Sequence, residues 1–502
     1  MTSIDPVRPI RTYGNWRRPQ SRGLMGLGSV GTGIMIGGLA LVIFTAMFAG
    51  LLRAIIVGAL VGLLLLAIMS KDKHGRNALT RGGARASWWW ARRQGSHLYR
   101  SGPLGRTAWG TYQLPGLAAP LRLTEQEDAY GQKFAMLYCP QTTTYTVVIA
   151  AEPEGAALVD VEEVDNRVAD WGAWLASLGD EPGVQAASVT VETAPDSGAR
   201  LRREVTGRMD PNAPEFAREV LAETMETYPA GSSTVKAYLT ISFSALSRID
   251  GRKRSDEEMG RDLAARLPAL TSRLASTGAG AARAMTAQRL CEVIRVAYDP
   301  SAGPIIEAEY AEGRTVDLKW PDCGPSAAQA FWDGYRHDGA YSITWAMSEA
   351  PRGHVQSSVL DRLLQPHPEI VRKRVTLLYR PIDSARAAGL VESDQRAAEF
   401  RVTASTKPTA REQLALRHAA STAAEEASGA GLVNFAMLVT ATVNNPAHAP
   451  HARATVDSLS ATARLKLRLV NGAQDSAFAA CLPLGLILPR HLKVPAEWQE
   501  KL

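Results

Sequence analysis

Three glycines near the N-terminus, Gly26, Gly28 and Gly31 in "GLGSVGTG", have the GxGxxG spacing that cradles a dinucleotide pyrophosphate. That chemistry needs a buried strand before the first glycine and a helix after it whose amides meet the phosphate. The stretch before it, "RTYGNWRRPQSRGLM", is basic and carries a proline, and the stretch after it holds no charge until Arg53. These flanks fit a membrane segment and not a cofactor loop. Other candidate chemistry is equally sparse. No GxxxxGK[ST], HExxH or GxSxG pattern occurs, so a triphosphate loop, a zinc helix and a nucleophile elbow are all missing. The acidic run Asp160, Glu162, Glu163 and Asp165 reads as the solvated first turn of a helix, where carboxylates meet the positive dipole end. His448 and His451 share a Pro/Asn loop without a third ligand, and Arg200, Arg202 and Arg203 read as a solvated or partner-facing strip. Cys139, Cys291, Cys323 and Cys481 stand far apart, which fits reduced thiols better than a metal cluster or a disulfide frame. The expectation is a protein that is not an enzyme, with no cofactor and no metal.

The glycines instead belong to elements that meet lipid. From Gly23 to Ser70 the only charged residue is Arg53, and these 48 residues accommodate two crossings of about 20 residues each. The spans are predicted near 29–49 and 52–69, with Gly50 in the turn and Arg53 reaching the headgroups. Gly33 and Gly37 in the first span and Gly58 and Gly62 in the second are four residues apart. Such pairs make a flat strip on which the hairpin packs on itself or on a partner's helices.

The flanks orient the hairpin. Arg8, Arg11, Arg17, Arg18 and Arg22 precede it, and Lys71, Lys73, Arg76, Arg81, Arg85, Arg92 and Arg93 follow it. The positive-inside rule puts both ends in the cytoplasm and the short turn outside. Residues 1–110 carry 15 Lys/Arg against Asp5 and Asp72, a net of +13; the whole chain is +6, which leaves about −7 for residues 111–502. The basic character is therefore membrane-proximal, and no direct nucleic-acid contact is expected. On a helical projection of 77–100, Arg81, Arg85 and Arg92 share one face, opposite Leu79, Gly83, Ala86 and Trp90, with Trp88 and Trp89 beside that stripe. This segment is expected to lie on the anionic inner leaflet.

Five regions follow: a basic cytoplasmic arm (1–22), the hairpin (23–70), a basic, Trp-rich membrane-proximal segment (71–110), and two cytoplasmic α+β lobes at 111–280 and 281–502. Strands are expected at 144–152, 184–194, 234–245, 372–380, 432–443 and 464–470, and helices at 161–179, 214–228, 255–275, up to Tyr298, 408–428 and 454–464. Ser255 with Glu258 makes a capping box for the third of these helices. Strands separated by helices suggest mixed sheets with helices packed on one side. No long repeat at a fixed period is evident.

The order of a basic arm, a glycine-rich hairpin, "HGRNALTRGGARASWWWARRQGSHLYRSGPLGR", "YTVVIAAEPEGAALVD" and "WGAWLASLG" resembles a family of actinobacterial membrane proteins associated with conjugation or type IV secretion. The hairpin is similar to PrgI-like and VirB-type inner-membrane subunits. The cytoplasmic part, with "FAACLPLG" at Phe478–Gly485, resembles the non-motor N-terminal domain of the VirB-type ATPase. The resemblance supplies no catalytic residue. It implies a non-catalytic scaffold in the cytoplasmic membrane, docking a secretion ATPase and other membrane subunits, with a homo-oligomer among the possible arrangements. The alternatives are an EccE-type membrane component of type VII secretion and a membrane-anchored enzyme with an unrecognised site.

Overall fold

The computed structural model describes residues 11–14, 16, 29–70, 72–108, 110–155, 159–195, 199–210, 212–227, 233–351, 353–404 and 407–492. They fall into two units, a small one built on residues 16–97 and a large one that takes residues up to 15, 98–470 and 474–486.

In the small unit, α1 (Ser29–Ala49) and α2 (Leu51–Met69) are joined by Gly50 alone, whose φ of 92° is open to glycine and strained for other residues. The helices run antiparallel in contact: Gly38 faces Val61 and Gly58 faces Val42. After Ser70 the chain turns and enters α3 (Ala78–Arg93).

The large unit holds one sheet of thirteen strands in which every adjacent pair is antiparallel. A short edge strand, β1 (Leu98–Arg100), opens it. Next come β2 (Arg122–Glu127), β3 (Lys133–Cys139) and β4 (Thr144–Ala151), then α4 (Val161–Asp180), β5 (Val184–Pro195) and the helical pair α5 (Ala199–Arg208) and α6 (Glu215–Thr227). The first half closes with β6 (Ser233–Ser244), α7 (Asp256–Ser272), β7 (Ala282–Ala284) and α8 (Ala287–Tyr298), and α9 (Ala302–Ala311) follows.

The remaining elements repeat that series. β8 (Ala327–Ala330), β9 (Tyr335–His337) and β10 (Ala340–Glu349) lead to α10 (Asp361–Leu364), β11 (Arg372–Pro381) and the helical pair α11 (Ser384–Thr403) and α12 (Ala410–Ala427). Then come β12 (Val433–Val443), α13 (Ala449–Thr462), β13 (Lys466–Leu469) and α14 (Gln474–Ala480).

Neighbours in the sheet run β1-β8-β9-β10-β12-β11-β5-β6-β4-β3-β2, with β7 added to β4 and β13 to β10. Within each half, two strands joined by a helix are parallel but have a third strand inserted between them. β6 lies between β4 and β5, and β4 between β6 and β7; β12 and β10 do the same in the second half. This is the split β-α-β, ferredoxin-like arrangement, present twice. The two copies meet along β5 and β11, where Thr190 pairs with Thr376 about an approximate two-fold axis. Each copy also carries a helical pair at the same place, between its second and third core strands.

Several expectations change accordingly. The strand–helix–strand alternation suggested mixed sheets, but the inserted strands make every ladder antiparallel. The lobes expected at 111–280 and 281–502 share this one sheet. Leu98–Arg100, expected within the surface helix, pairs with Ala327–Gln329 as a strand. His451 lies in the first turn of α13, not in a loop.

The two faces of the sheet differ in chemistry because side chains alternate along each strand. One face is apolar. Tyr145, Val147, Ile149, Leu239, Ile241 and Phe243 pack under Trp174 and Leu178 of α4 and Met259, Leu263 and Leu267 of α7. In the second half, Ile343, Trp345, Val439 and Ala441 pack under Leu363 of α10 and Val456 of α13. The capping box that opens α7 is present, with Ser255 accepting from the Glu258 N–H and Glu258 from the Ser255 N–H.

The opposite face is lined by hydroxyls paired across strands: Thr146–Ser242, Ser188–Thr240, Thr190–Thr376, Thr344–Thr440 and Ser342–Thr442, all at 2.7–2.9 Å. A strap formed by α14 and residues up to Leu486 covers them, so helices lie on both faces of the sheet. Gln474 bonds both the N–H and the carbonyl of Thr344, and Ser242 donates to the Gly485 carbonyl. Gly485, at φ 65°, lies so close to Thr146 and Ser242 that no side chain fits there.

Candidate membrane-facing site

Both hairpin helices are 19 residues or more of apolar sequence, with mean hydropathies of 2.1 over Gly31–Ala49 and 2.7 over Leu51–Met69. They are long and apolar enough to cross a bilayer. Their large side chains stand open: Phe44, Met47, Phe48, Leu51, Leu52, Leu60, Leu63 and Leu66 are all 60% exposed or more. An exposed apolar patch of this size marks a surface that meets lipid or another protein.

Of the four glycines singled out from spacing, Gly58 faces the opposite helix: a Cβ there would stand at van der Waals distance from Val42. Gly33, Gly37 and Gly62 have open space where a side chain would be. The closest approach is at Gly38, where a Cβ would lie 2.5 Å from Val61 Cγ1. The adjacent glycine, one residue beyond the GxxxG pair, is therefore the one that sets the helix separation. Gly26 and Gly28 lie outside the described residues, as do Arg8, Arg17, Arg18, Arg22 and Lys71.

α3 has no buried residue. Arg81, Arg85 and Arg92 are exposed, Trp89 and Trp90 are 51% and 62% exposed, and Leu79 is 40% exposed. The Arg93 guanidinium lies 3.9 Å above the Trp89 ring, and Trp88 is half-buried, edge-on to His97. Burial pushes the Arg76 guanidinium down, and the neighbouring Arg81 charge adds to this.

The basic arm ahead of α1 contributes a contact that spacing did not suggest. Tyr13 forms a two-way backbone bridge with Val355, at 2.8 and 2.9 Å, and its hydroxyl donates to Asp165 Oδ1 at 3.0 Å. Asp165 is thus not a solvated carboxylate of the acidic run; it is buried under Tyr13. Burial, reinforced by that carboxylate, raises the Tyr13 phenol.

Deep in the large unit, Glu192 of β5 stands opposite Arg374 of β11 on the hydroxyl face. It accepts from Arg374 Nε at 2.6 Å and from Arg372 Nη1. Burial alone would raise this carboxyl, but Arg374, Arg372 and Lys236 outweigh it and hold it near 2. Nearby, His337 uses both ring nitrogens, one to the Tyr298 carbonyl and one to Ser342 Oγ, and burial pushes its pKa down to about 4. The sequence signal for the first group was arginine at alternate positions of "RKRVTLLYR", on a strand whose neighbours are apolar. Arg200, Arg202 and Arg203 fall in α5, and their side chains lie outside the described residues.

A family model described as Domain of unknown function (DUF8461) matches residues 20–80, the stretch that holds α1 and α2 and the start of α3. Among curated proteins none matches the chain.

Proposed function

We propose that this chain is a non-catalytic scaffold of a conjugation or type IV secretion-like machine. The hairpin anchors it in the cytoplasmic membrane, and the large antiparallel domain docks a motor ATPase or other membrane subunits. The observation that carries the reading is the Tyr13 contact. Two crossings return the chain to its starting side, and the arm before α1 is bound to Val355 and Asp165 of the domain after α2. With both flanks basic, that shared side is the cytoplasm. On it, α3 presents Arg81, Arg85 and Arg92 to anionic headgroups and Trp89 and Trp90 to the interface. The lack of a phosphate loop supports a part without a motor of its own.

Deleting the chain from its host tests the function. Conjugative transfer should be lost, and the full-length chain supplied in trans should restore it. Normal transfer without the chain contradicts the proposal. Loss of secretion of small helical proteins, with transfer intact, favours the EccE-type alternative.

A further inference from the structure

The charges around Glu192 do not balance. Lys236 of β6 and Arg374 of β11 stand opposite it on the two neighbouring strands, Arg372 bonds it, and Arg289 of α8 acts on Lys236, whereas Glu292 is taken up by Arg289 at 2.8 Å and by the Tyr310 hydroxyl. Glu307 of α9 is the remaining carboxylate acting on Lys236. Arg374 is 2% exposed and its guanidinium lies 5.8 Å from the centre of the Phe478 ring, yet both its Nη1 and Nη2 lack a hydrogen-bond partner among the described residues, as does the buried Nε of Arg372. Lys236, half-buried, has no hydrogen-bonded partner among the described residues. Buried guanidinium N–H groups are rarely left empty, because each forfeits the hydration it had in water. Exposure is graded: Arg289 is 48% exposed, Arg372 14% and Arg374 2%, so the cluster runs from the surface into the interior. The first turn of α9 lies beside it, with a Cβ on Gly303 falling 3.9 Å from Arg372 Nη2, so the positive end of that helix adds to the field.

We propose that Lys236, Arg289 and Arg372, with Arg374 innermost, bind a phosphate-class oxyanion. Arginine forks match the paired oxygens of such a ligand, and the lysine adds a point charge. The same chemistry serves inorganic phosphate and a phosphomonoester headgroup. This site is independent of the membrane hairpin and of the scaffold role.

The test titrates the detergent-solubilised full-length chain with inorganic phosphate and, separately, with glycerol 3-phosphate. Chloride holds the ionic strength constant, and the melting temperature is the readout. A saturable rise is expected with at least one of them. Tighter binding of inorganic phosphate identifies the free ion, and tighter binding of glycerol 3-phosphate identifies an ester. Arg372→Gln should abolish the rise. Arg289→Gln should weaken the apparent Kd tenfold or more, although it also lowers the starting melting temperature by leaving the buried Glu292 without its ion pair, and Lys236→Gln should weaken the Kd likewise. No rise in the native chain, or an unchanged Kd in both Arg289→Gln and Lys236→Gln, overturns the proposal.

Discussion

His337 keeps an imidazole neutral inside the protein, between the Tyr298 carbonyl and Ser342. The folded ring takes a proton only near pH 4, against an ordinary value of 6.5. Between those values the unfolded chain holds more protons, so stability is fully present above about pH 6.5 and is lost as pH falls toward 4. At about 1.4 kcal/mol per pKa unit, the loss approaches about 3 kcal/mol. Glu192 extends the acid limb, because its stabilisation is lost from about pH 4.5 down to 2. His337→Gln should cost about 1–2 kcal/mol at pH 7, from one lost hydrogen bond, yet flatten the slope between pH 6.5 and 4. Denaturant unfolding at several pH values measures both, and an unchanged slope in the variant contradicts this account. Neither residue was legible as a site. A lone histidine and a glutamate inside "VTVETA" acquire partners only when β9 meets β10 and the end of α8, and β5 meets β11.

At the scale of elements, the hairpin was the most legible part, because 48 residues with a single charge, Arg53, read as a pair of long apolar helices. Its spans match the observed helices to within one residue. The contact within it was less legible: glycine spacing pointed to Gly33, Gly37, Gly58 and Gly62, while helix rotation brings Gly38 against Val61. Gly38→Ala should therefore destabilise the hairpin by about 1–3 kcal/mol through overpacking, and Val61→Ala in the same chain should recover most of it. A double-mutant cycle on the full-length protein in detergent measures this coupling, and additivity would contradict the assigned contact. For α3, reconstitution with brominated anionic lipid should quench tryptophan fluorescence. Changing both Trp89 and Trp90 to Phe should remove most of the quenched signal, and Gln at Arg81, Arg85 and Arg92 should make the quenching weaker. Full quenching in both variants would place α3 away from the interface. The strands of the large domain were legible where apolar residues alternate, as in "TVKAYLTISFSA". The short strands β1, β8 and β9 were not, since three or four residues carry no period.

For the molecule as a whole, the pattern of strands and helices divides the chain into two lobes, where the fold has two copies of one arrangement sharing a sheet. The duplication is not legible in the sequence because topology repeats while residues do not. The strap over the hydroxyl face runs "AFAACLPLG" in the second copy, and α8 in the first reads "LCEVIRVAY". Both copies, together with the arm at Tyr13, belong on one side of the membrane in the proposed arrangement. The most direct test is labelling of intact cells with a membrane-impermeant thiol reagent. The four native cysteines are buried and give little background. Leu51→Cys, at the hairpin turn, should react from outside, while Arg11→Cys and Arg92→Cys should react only after the cells are opened. Labelling of Arg11→Cys or Arg92→Cys in intact cells, or a Leu51→Cys that stays silent there, would contradict the arrangement.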